Sequence, residues 1–175
     1  SERVLRIFRP EGETEGSTGI RILHEAESIV VLNKPAPLPM HPSGRFHRNT
    51  LQYLMNQAYT PPQVLRIVHR LDANTSGLVV MARTRHFAKL LQREFIEGRV
   101  EKTYLVRVQG LPQKDVFVCK DSISEEATQA GACRIDEEGQ PARSEFKVLE
   151  RSDDGTALLE AIPGTGRTNQ IRIHL

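Results

Sequence analysis

No stretch of the 175-residue chain approaches the roughly 18 consecutive apolar residues that a membrane helix needs, so nothing in it reads as a membrane span. The N-terminal Ser1-Glu2-Arg3-Val4-Leu5-Arg6 lacks the apolar run of a secretory signal. Cysteine is scarce. Cys119 and Cys133 cannot build a disulfide framework and read as reduced thiols of a cytoplasmic protein, which makes the Asn74-Thr75-Ser76 sequon a coincidence. Aromatic residues are only 5% of the chain, but 38% of residues are hydrophobic and 26% charged, the balance of a globular protein rather than a disordered one. This length supports one domain with a core and is short for two.

The formal net charge of +2 conceals its distribution. Residues 41–107 carry 11 Lys and Arg against 4 Asp and Glu, whereas residues 108–160 carry 6 against 12. Arg167 and Arg172 follow with no acid after them. Such asymmetry points one surface toward a polyanion, although patches of this size also occur on proteins that bind no nucleic acid.

Residues 1–19 are polar, include Glu11-Gly12-Glu13-Thr14-Glu15-Gly16, and read as a linker, with structure starting at Ile20. Ser28 to Asn33 is a β-branched strand signal broken by Lys34-Pro35, and four prolines between 35 and 42 force an extended loop. Asn49-Thr50 is placed to cap a short helix with Leu51, Leu54, Met55 and Ala58 on one face, ended by Pro61-Pro62. Val64–Val68 reads as a strand, Ala73–Gly77 as a polar turn and Leu78–Met81 as a buried strand. Residues 86–97 form the clearest helix, with Phe87, Leu90, Leu91 and Phe95 on its apolar face and Gly98 as its stop. Lys102 to Gln109 alternates with Tyr104, Val106 and Val108 inward; residues 111–145 read as an acidic, irregular protrusion. Phe146–Leu149 and Ala157–Ile162 read as a hairpin around Asp154-Gly155. Strands with occasional helices and short turns indicate an α+β fold on a mixed, largely antiparallel sheet with short flanking helices. The apolar pattern of Ile171-Arg172-Ile173-His174-Leu175 is still running at the last residue, so the domain is expected to continue beyond it.

Three chemical templates fail. His69-Arg70-Leu71-Asp72 has the wrong order for a kinase catalytic loop, and no Asp-Phe-Gly or glycine-rich loop accompanies it. Pro163 to Thr168 lacks the Gly-Lys-Ser/Thr ending of a phosphate loop. Six histidines and two cysteines match no metal-ligand spacing, so no metal is expected. Asp72 remains, at a strand-to-turn junction beside Arg70. It is either a turn aspartate bonding to the backbone of Asn74 or Thr75, or a carboxylate projected into a cleft as nucleophile or base.

His69-Arg70-Leu71-Asp72-Ala73-Asn74-Thr75-Ser76-Gly77-Leu78 resembles the H-R-L-D-x-x-T-S-G signature of the RluA family of RNA pseudouridine synthases. Val31-Leu32-Asn33-Lys34-Pro35 with His41-Pro42-Ser43 is similar to the family's N-terminal motif, and Glu101-Lys102-Thr103-Tyr104 to its K-x-Y strand. Gly166-Arg167-Thr168-Asn169-Gln170-Ile171-Arg172-Ile173-His174-Leu175 resembles its G-R-T-H-Q-I-R-x-H-L ending. The four motifs stand in order, so residues 20–175 are expected to form the catalytic domain, with 1–19 an extension.

The resemblance implies isomerisation of uridines to pseudouridine in structured RNA, tRNA or ribosomal RNA, with no metal or organic cofactor and no evident obligate protein partner. Asp72 would be the catalytic aspartate, Tyr104 would pack against the target base, and Arg172 would pair with Asp72 and keep it ionised. Arg70 would fill the space that the base vacates, its planar guanidinium stacking and hydrogen-bonding at once. His69, Thr75, Arg167, Asn169, Gln170, Arg45 and Arg48 would complete the RNA-binding set, and Arg66, Arg83, Arg85, Lys89 and Arg93 of the basic stretch would hold the RNA backbone. Asn169 stands where the family usually has histidine; it can donate and accept hydrogen bonds but carries no charge. A second reading is an RNA chaperone on the same scaffold without catalysis. A glycosidase would need a second carboxyl within about 10 Å of the first, and Asp72 has no acidic neighbour before Glu94.

Overall fold

The computed structural model describes residues 3–5, 19–42, 47–59, 64–125 and 133–175, the first group as backbone only. The chain divides into two compact units, Ser1–Glu97 and Gly98–Leu175.

The first unit is built on five strands, β1 (Arg3–Leu5), β2 (Ile20–Glu25), β3 (Ile29–Lys34), β4 (Arg66–Ile67) and β5 (Gly77–Ala82), in the order β1-β2-β3-β5-β4. Structure therefore does not start at Ile20: Arg3–Leu5 adds an antiparallel strand to β2 inside the segment expected to be linker. β3 shows why a β-branched run makes a central strand. Its alternation turns Val30 and Leu32 inward, both fully buried, and the same two-residue period turns Lys34 inward as well. β5 answers with Val79 and Met81, while Leu78, expected in a buried strand, points to solvent.

Two helices belong to this unit. In α1 (Leu51–Ala58), the Thr50 hydroxyl accepts the Tyr53 N–H, and Leu51, Leu54 and Met55 are buried. Full burial of such side chains contributes about 1.5–3 kcal/mol each. Pro61-Pro62, expected to end this helix, lie outside the described residues; the helix closes at Tyr59, whose N–H donates to the Met55 carbonyl. Thr84 likewise caps α2 (Arg85–Ile96), and Gly98 follows with φ +69°, the left-handed conformation that glycine adopts with little strain at the end of a helix. Phe87, Leu91 and Phe95 pack with Val80 around Val68, Ala82 and Ala88. Leu90 does not join them; it is exposed, because the packed arc of the helix is centred on the Phe87, Leu91 and Phe95 row.

The second unit holds β6 (Tyr104–Gln109), β7 (Val116–Cys119), β8 (Ser144–Arg151) and β9 (Thr156–Pro163) in the order β6-β9-β8-β7, followed by the single turn α3 (Gln170–Ile173). Phe146, Ala157, Leu159 and Ala161 form its core, with Tyr104, Val106 and Val108 packed on it from β6. Phe117 stacks on Phe146 at 5.0 Å between ring centroids. β8 and β9 form the expected hairpin, and the Asp154 carboxylate accepts both the N–H and the hydroxyl of Thr156 at its turn. The acidic segment is more regular than expected. Val116–Cys119 is a strand paired with β8, and Ile123 is buried, bridging to Ile135 and Gln140. Gly139 is required there, since a Cβ would stand 2.4 Å from the Ile123 carbonyl oxygen.

The α+β class stands. All ladders among the described residues are antiparallel and fall into two sheets, rather than one mixed sheet. No helix among the described residues is long and apolar enough to cross a membrane.

Candidate active site

In the first unit, Asp72 lies half-buried between β4 and β5, on a turn closed by the Thr75 N–H donating to the Asp72 carbonyl oxygen at 3.0 Å. This turn is fastened to the proline-rich loop through one atom. The Ala73 carbonyl accepts the Leu38 N–H at 2.9 Å and also the Lys34 ammonium at 3.2 Å. The loop is pinned at its far side too, where Pro39 and Met40 carbonyls accept the Leu51 and Gln52 N–H groups that start α1. Strand, loop, helix and the Asp72 turn thus converge on a few backbone bonds.

Lys34 is at the centre of that convergence. It has no exposed surface, and its ammonium donates to the carbonyls of Leu38 at 2.8 Å, Pro35 at 3.1 Å and Ala73 at 3.2 Å. Three donors meet three acceptors, so the charged form is the one the cage fits. Burial pushes the Lys34 pKa down from 10.5 to about 8, while the negative charge of Asp72 opposes that shift. At neutral pH a buried cation therefore sits within electrostatic reach of the Asp72 carboxylate. Sequence reasoning used Lys34 only as the end of a strand and a letter of a motif; the two-residue period shared with Val30 and Leu32 was the signal that could have found it.

The other residues expected in this unit separate by burial. His69 is packed into the fold: its Nε2 accepts the Val80 N–H at 3.0 Å, and its ring stacks on Phe95 at 4.3 Å. The described neighbours of His69 are thus protein groups of the sheet and α2. Arg70 and Arg48 are exposed, and Thr75 is half-buried beside Asp72. Arg45 lies outside the described residues.

The second unit carries Tyr104, Arg167, Asn169, Gln170 and Arg172. Tyr104, the first residue of β6, is half-buried against the core. Gln170 is 4% exposed and uses its whole amide internally. Its Oε1 accepts the Thr165 hydroxyl at 2.6 Å and the Arg167 N–H at 3.0 Å; its Nε2 donates to the Arg143 carbonyl and the Ser144 hydroxyl, both at 3.0 Å. Gln170 thereby shapes the loop that displays Arg167, rather than offering its amide to solvent. The Arg167 guanidinium donates from Nε to the Pro141 carbonyl at 3.2 Å, and Lys102, its pKa lowered by burial, reaches the Thr165 carbonyl at 3.4 Å.

A polar chain continues inward from Gln170. Ser144 Oγ lies 3.0 Å from His174 Nδ1, and His174 Nε2 lies 2.9 Å from the Asp121 carbonyl, which can only accept. That assigns a proton to Nε2. Ser144 and His174 were not expected to have any role. Asn169 adopts the left-handed conformation, φ 53° and ψ 22°, and its carbonyl accepts the Ile173 N–H of α3. Asparagine is among the few non-glycine residues that tolerate this region. Arg172 follows on α3 and is exposed.

Residues 28–175 match the family described as RNA pseudouridylate synthase. The chain belongs to that family. Pseudouridylate synthase RPUSD2 of Homo sapiens is 35% identical over 156 residues, covering 89% of this chain and 28% of that protein. Ribosomal large subunit pseudouridine synthase D of Nitrosomonas europaea is 38% identical over 159 residues, covering 89% and 46%. The solved structure of Human RNA Pseudouridylate Synthase Domain Containing 4 superposes with a TM-score of 0.72 at 30% identity, over 88% of this chain and 62% of that one. The chain spans about half or less of the curated relatives it matches. Within the RNA pseudouridylate synthase family match fall the Asp72 turn, the buried Lys34, β6 and the Gln170 loop.

Proposed function

We propose that this protein isomerises uridines in structured RNA to pseudouridine, with Asp72 as the catalytic carboxylate. Residues 20–175 act as the catalytic domain and 1–19 as its extension. The substrate is ribosomal RNA or tRNA and the site of action the cytoplasm, with no obligate protein partner. Family membership supports the reaction class; the half-buried Asp72 turn, fastened through Ala73 to the buried Lys34 ammonium, is the observation that carries the assignment of the carboxylate.

The reaction moves the base from an N1 to a C5 bond with the sugar, and gains or loses no atoms overall. It therefore asks for a nucleophile that stays ionised and for controlled proton transfer at C5, not for an oxidant. Asp72 supplies the nucleophile, and the buried Lys34 ammonium lies within electrostatic reach of it. Tyr104 packs against the base, and Arg172 is the third catalytic residue of this reading. Uridine must leave its stack first, at a cost of a few kcal/mol, and the exposed Arg70 takes the vacated space. Thr75 supports the Asp72 turn; Arg48, Arg45, Arg167 and Asn169 contact the RNA.

Pseudouridine mapping of total cellular RNA tests this, comparing a deletion strain with strains restored by wild type or by Asp72→Asn. One or a few sites are lost on deletion, and only wild type restores them. With purified protein, Asp72→Asn lowers turnover by on the order of 10³-fold or more while RNA affinity stays within about twofold. Retained turnover in Asp72→Asn removes the assignment.

A further inference from the structure

The basic stretch between residues 41 and 107 looks uniform as sequence, but the structure sorts it. Arg83 is only 13% exposed in its side chain; its guanidinium pairs with Glu25 at 3.1 Å, donates to the Ala26 carbonyl and lies over the Tyr59 ring. Arg66 is half-buried in β4. Arg85, Lys89 and Arg93 are different. All three are exposed on α2, opposite the Phe87, Leu91 and Phe95 face that packs on the sheet, and His86 is exposed beside them.

Their spacing is regular. Successive steps of four residues advance about 6 Å along a helix axis and turn by about 40°, so the three cations form a row about 12 Å long that winds about 80° around the axis. No exposed residue of α2 is acidic; Glu94 is half-buried, and Glu97 follows the helix. Arg93 does pair with Glu97 at 2.6 Å, but the pair is an exposed i,i+4 interaction with the Arg93 side chain 71% exposed. Such a pair is held weakly enough for another anion to compete for the guanidinium.

The placement also runs against what helix stability alone would select. Negative charge is favourable near a helix N-terminus and positive charge unfavourable. The first turn of α2 nevertheless contains Arg85 and no acid. A row of cations without aromatic anchors fits a repeating polyanion better than a protein partner, whose interface centres are typically aromatic or Arg set in a pocket.

We infer that the outer face of α2, through Arg85, Lys89 and Arg93, is a docking surface for the phosphodiester backbone of the RNA substrate, independent of base sequence. The inference rests on the proposed action on RNA but not on any catalytic residue. Neutralising one cation that meets a phosphate should reduce the slope of log affinity against log salt by about 0.7–0.9. Neutralising all three gives a slope change of about 2–3, which between 50 and 200 mM salt is roughly a 20–40-fold affinity difference.

The test uses the full chain and a short fluorescein-labelled RNA hairpin, with Kd measured across that salt range. Four proteins are compared: wild type; Arg85→Gln/Lys89→Gln/Arg93→Gln; the charge-preserving Arg85→Lys/Arg93→Lys; and a charge-matched control, Lys114→Gln/Lys120→Gln/Lys147→Gln, on exposed positions of the other unit. The slope of the α2 triple variant should fall by about 2–3, the control should keep the wild-type slope, and the lysine variant should keep most of it. Circular dichroism checks that the triple variant stays folded, since it removes an unfavourable first-turn cation, Arg85, but also a favourable last-turn cation, Arg93, with its Glu97 pair. Equal slopes in the triple variant and wild type, or equal reductions in the triple variant and the control, overturn the inference. Pseudouridine formation at saturating RNA is followed in parallel. If wild type forms no pseudouridine while the α2 slope change persists, the catalytic reading falls and the docking surface remains.

Discussion

Replacing Lys34 by methionine keeps a side chain of similar length and removes one charge, which makes the pH dependence of stability a direct reading of the buried ammonium. In the folded protein the Lys34 pKa is about 8, against 10.5 for an unburied lysine. Between those values the unfolded chain binds more protons than the folded one, so wild-type stability rises with pH across that window and is level below it. A shift of this size corresponds to about 3 kcal/mol. The stability difference between wild type and Lys34→Met should therefore move by about 3 kcal/mol in favour of wild type from pH 7 to pH 10.5. Urea unfolding followed by far-UV circular dichroism at steps of pH measures it, with the m-value checked for constancy. Groups that titrate in both proteins cancel in the difference. Parallel curves for the two proteins would mean that Lys34 is not a buried cation, and the electrostatic support assigned to Asp72 would go with it.

Two further outcomes concern the second unit. Asn169→Gly and Asn169→His should hold stability within about 0.5 kcal/mol, whereas Asn169→Val should cost about 1–2 kcal/mol, because a β-branched residue is forced into a left-handed conformation. Thermal melts decide this, and a valine variant as stable as the glycine variant would show that the conformation is not held. Gln170→Leu preserves bulk but removes one hydrogen bond each from the Arg143 carbonyl and the Ser144 and Thr165 hydroxyls and takes away the acceptor of the Arg167 N–H; it should destabilise by about 2–4 kcal/mol and speed amide exchange across residues 164–169. Unchanged exchange in that loop would refute the role given to the buried amide.

What could be read from the sequence is what short-range physics controls. Thr50 announces its helix because a hydroxyl before an apolar period has a donor waiting for it. Asp154-Gly155 announces the β8–β9 hairpin for a similar reason. β7 was hidden because Val116-Phe117-Val118 is brief and set among acids, and its pairing with Ser144–Lys147 spans a sequence distance that no local pattern reports. The candidate site divides along the same line. The Asp72 turn is local and legible, but its support is not: Lys34 reaches Ala73 across 39 residues, and Gln170 reaches Ser144 across 26.

Residue type also misled where position was informative. A lysine at the end of a strand suggests solvent, but the alternation of Val30 and Leu32 continues through it, and three main-chain carbonyls convert the inward position from an unsatisfied charge into a cage. The same inversion applies to Gln170 and His174, polar letters of a motif that end up among the buried residues. Polar residues placed deep in a small protein with their hydrogen bonds satisfied fix one arrangement of backbone, since any other leaves donors and acceptors stranded. Lys34 and Gln170 each do this for a loop bearing residues of the proposed site, Asp72 in one case and Arg167 in the other. Their substitution should therefore act through the placement of those loops, and charge or amide restored elsewhere on the surface should not compensate for it.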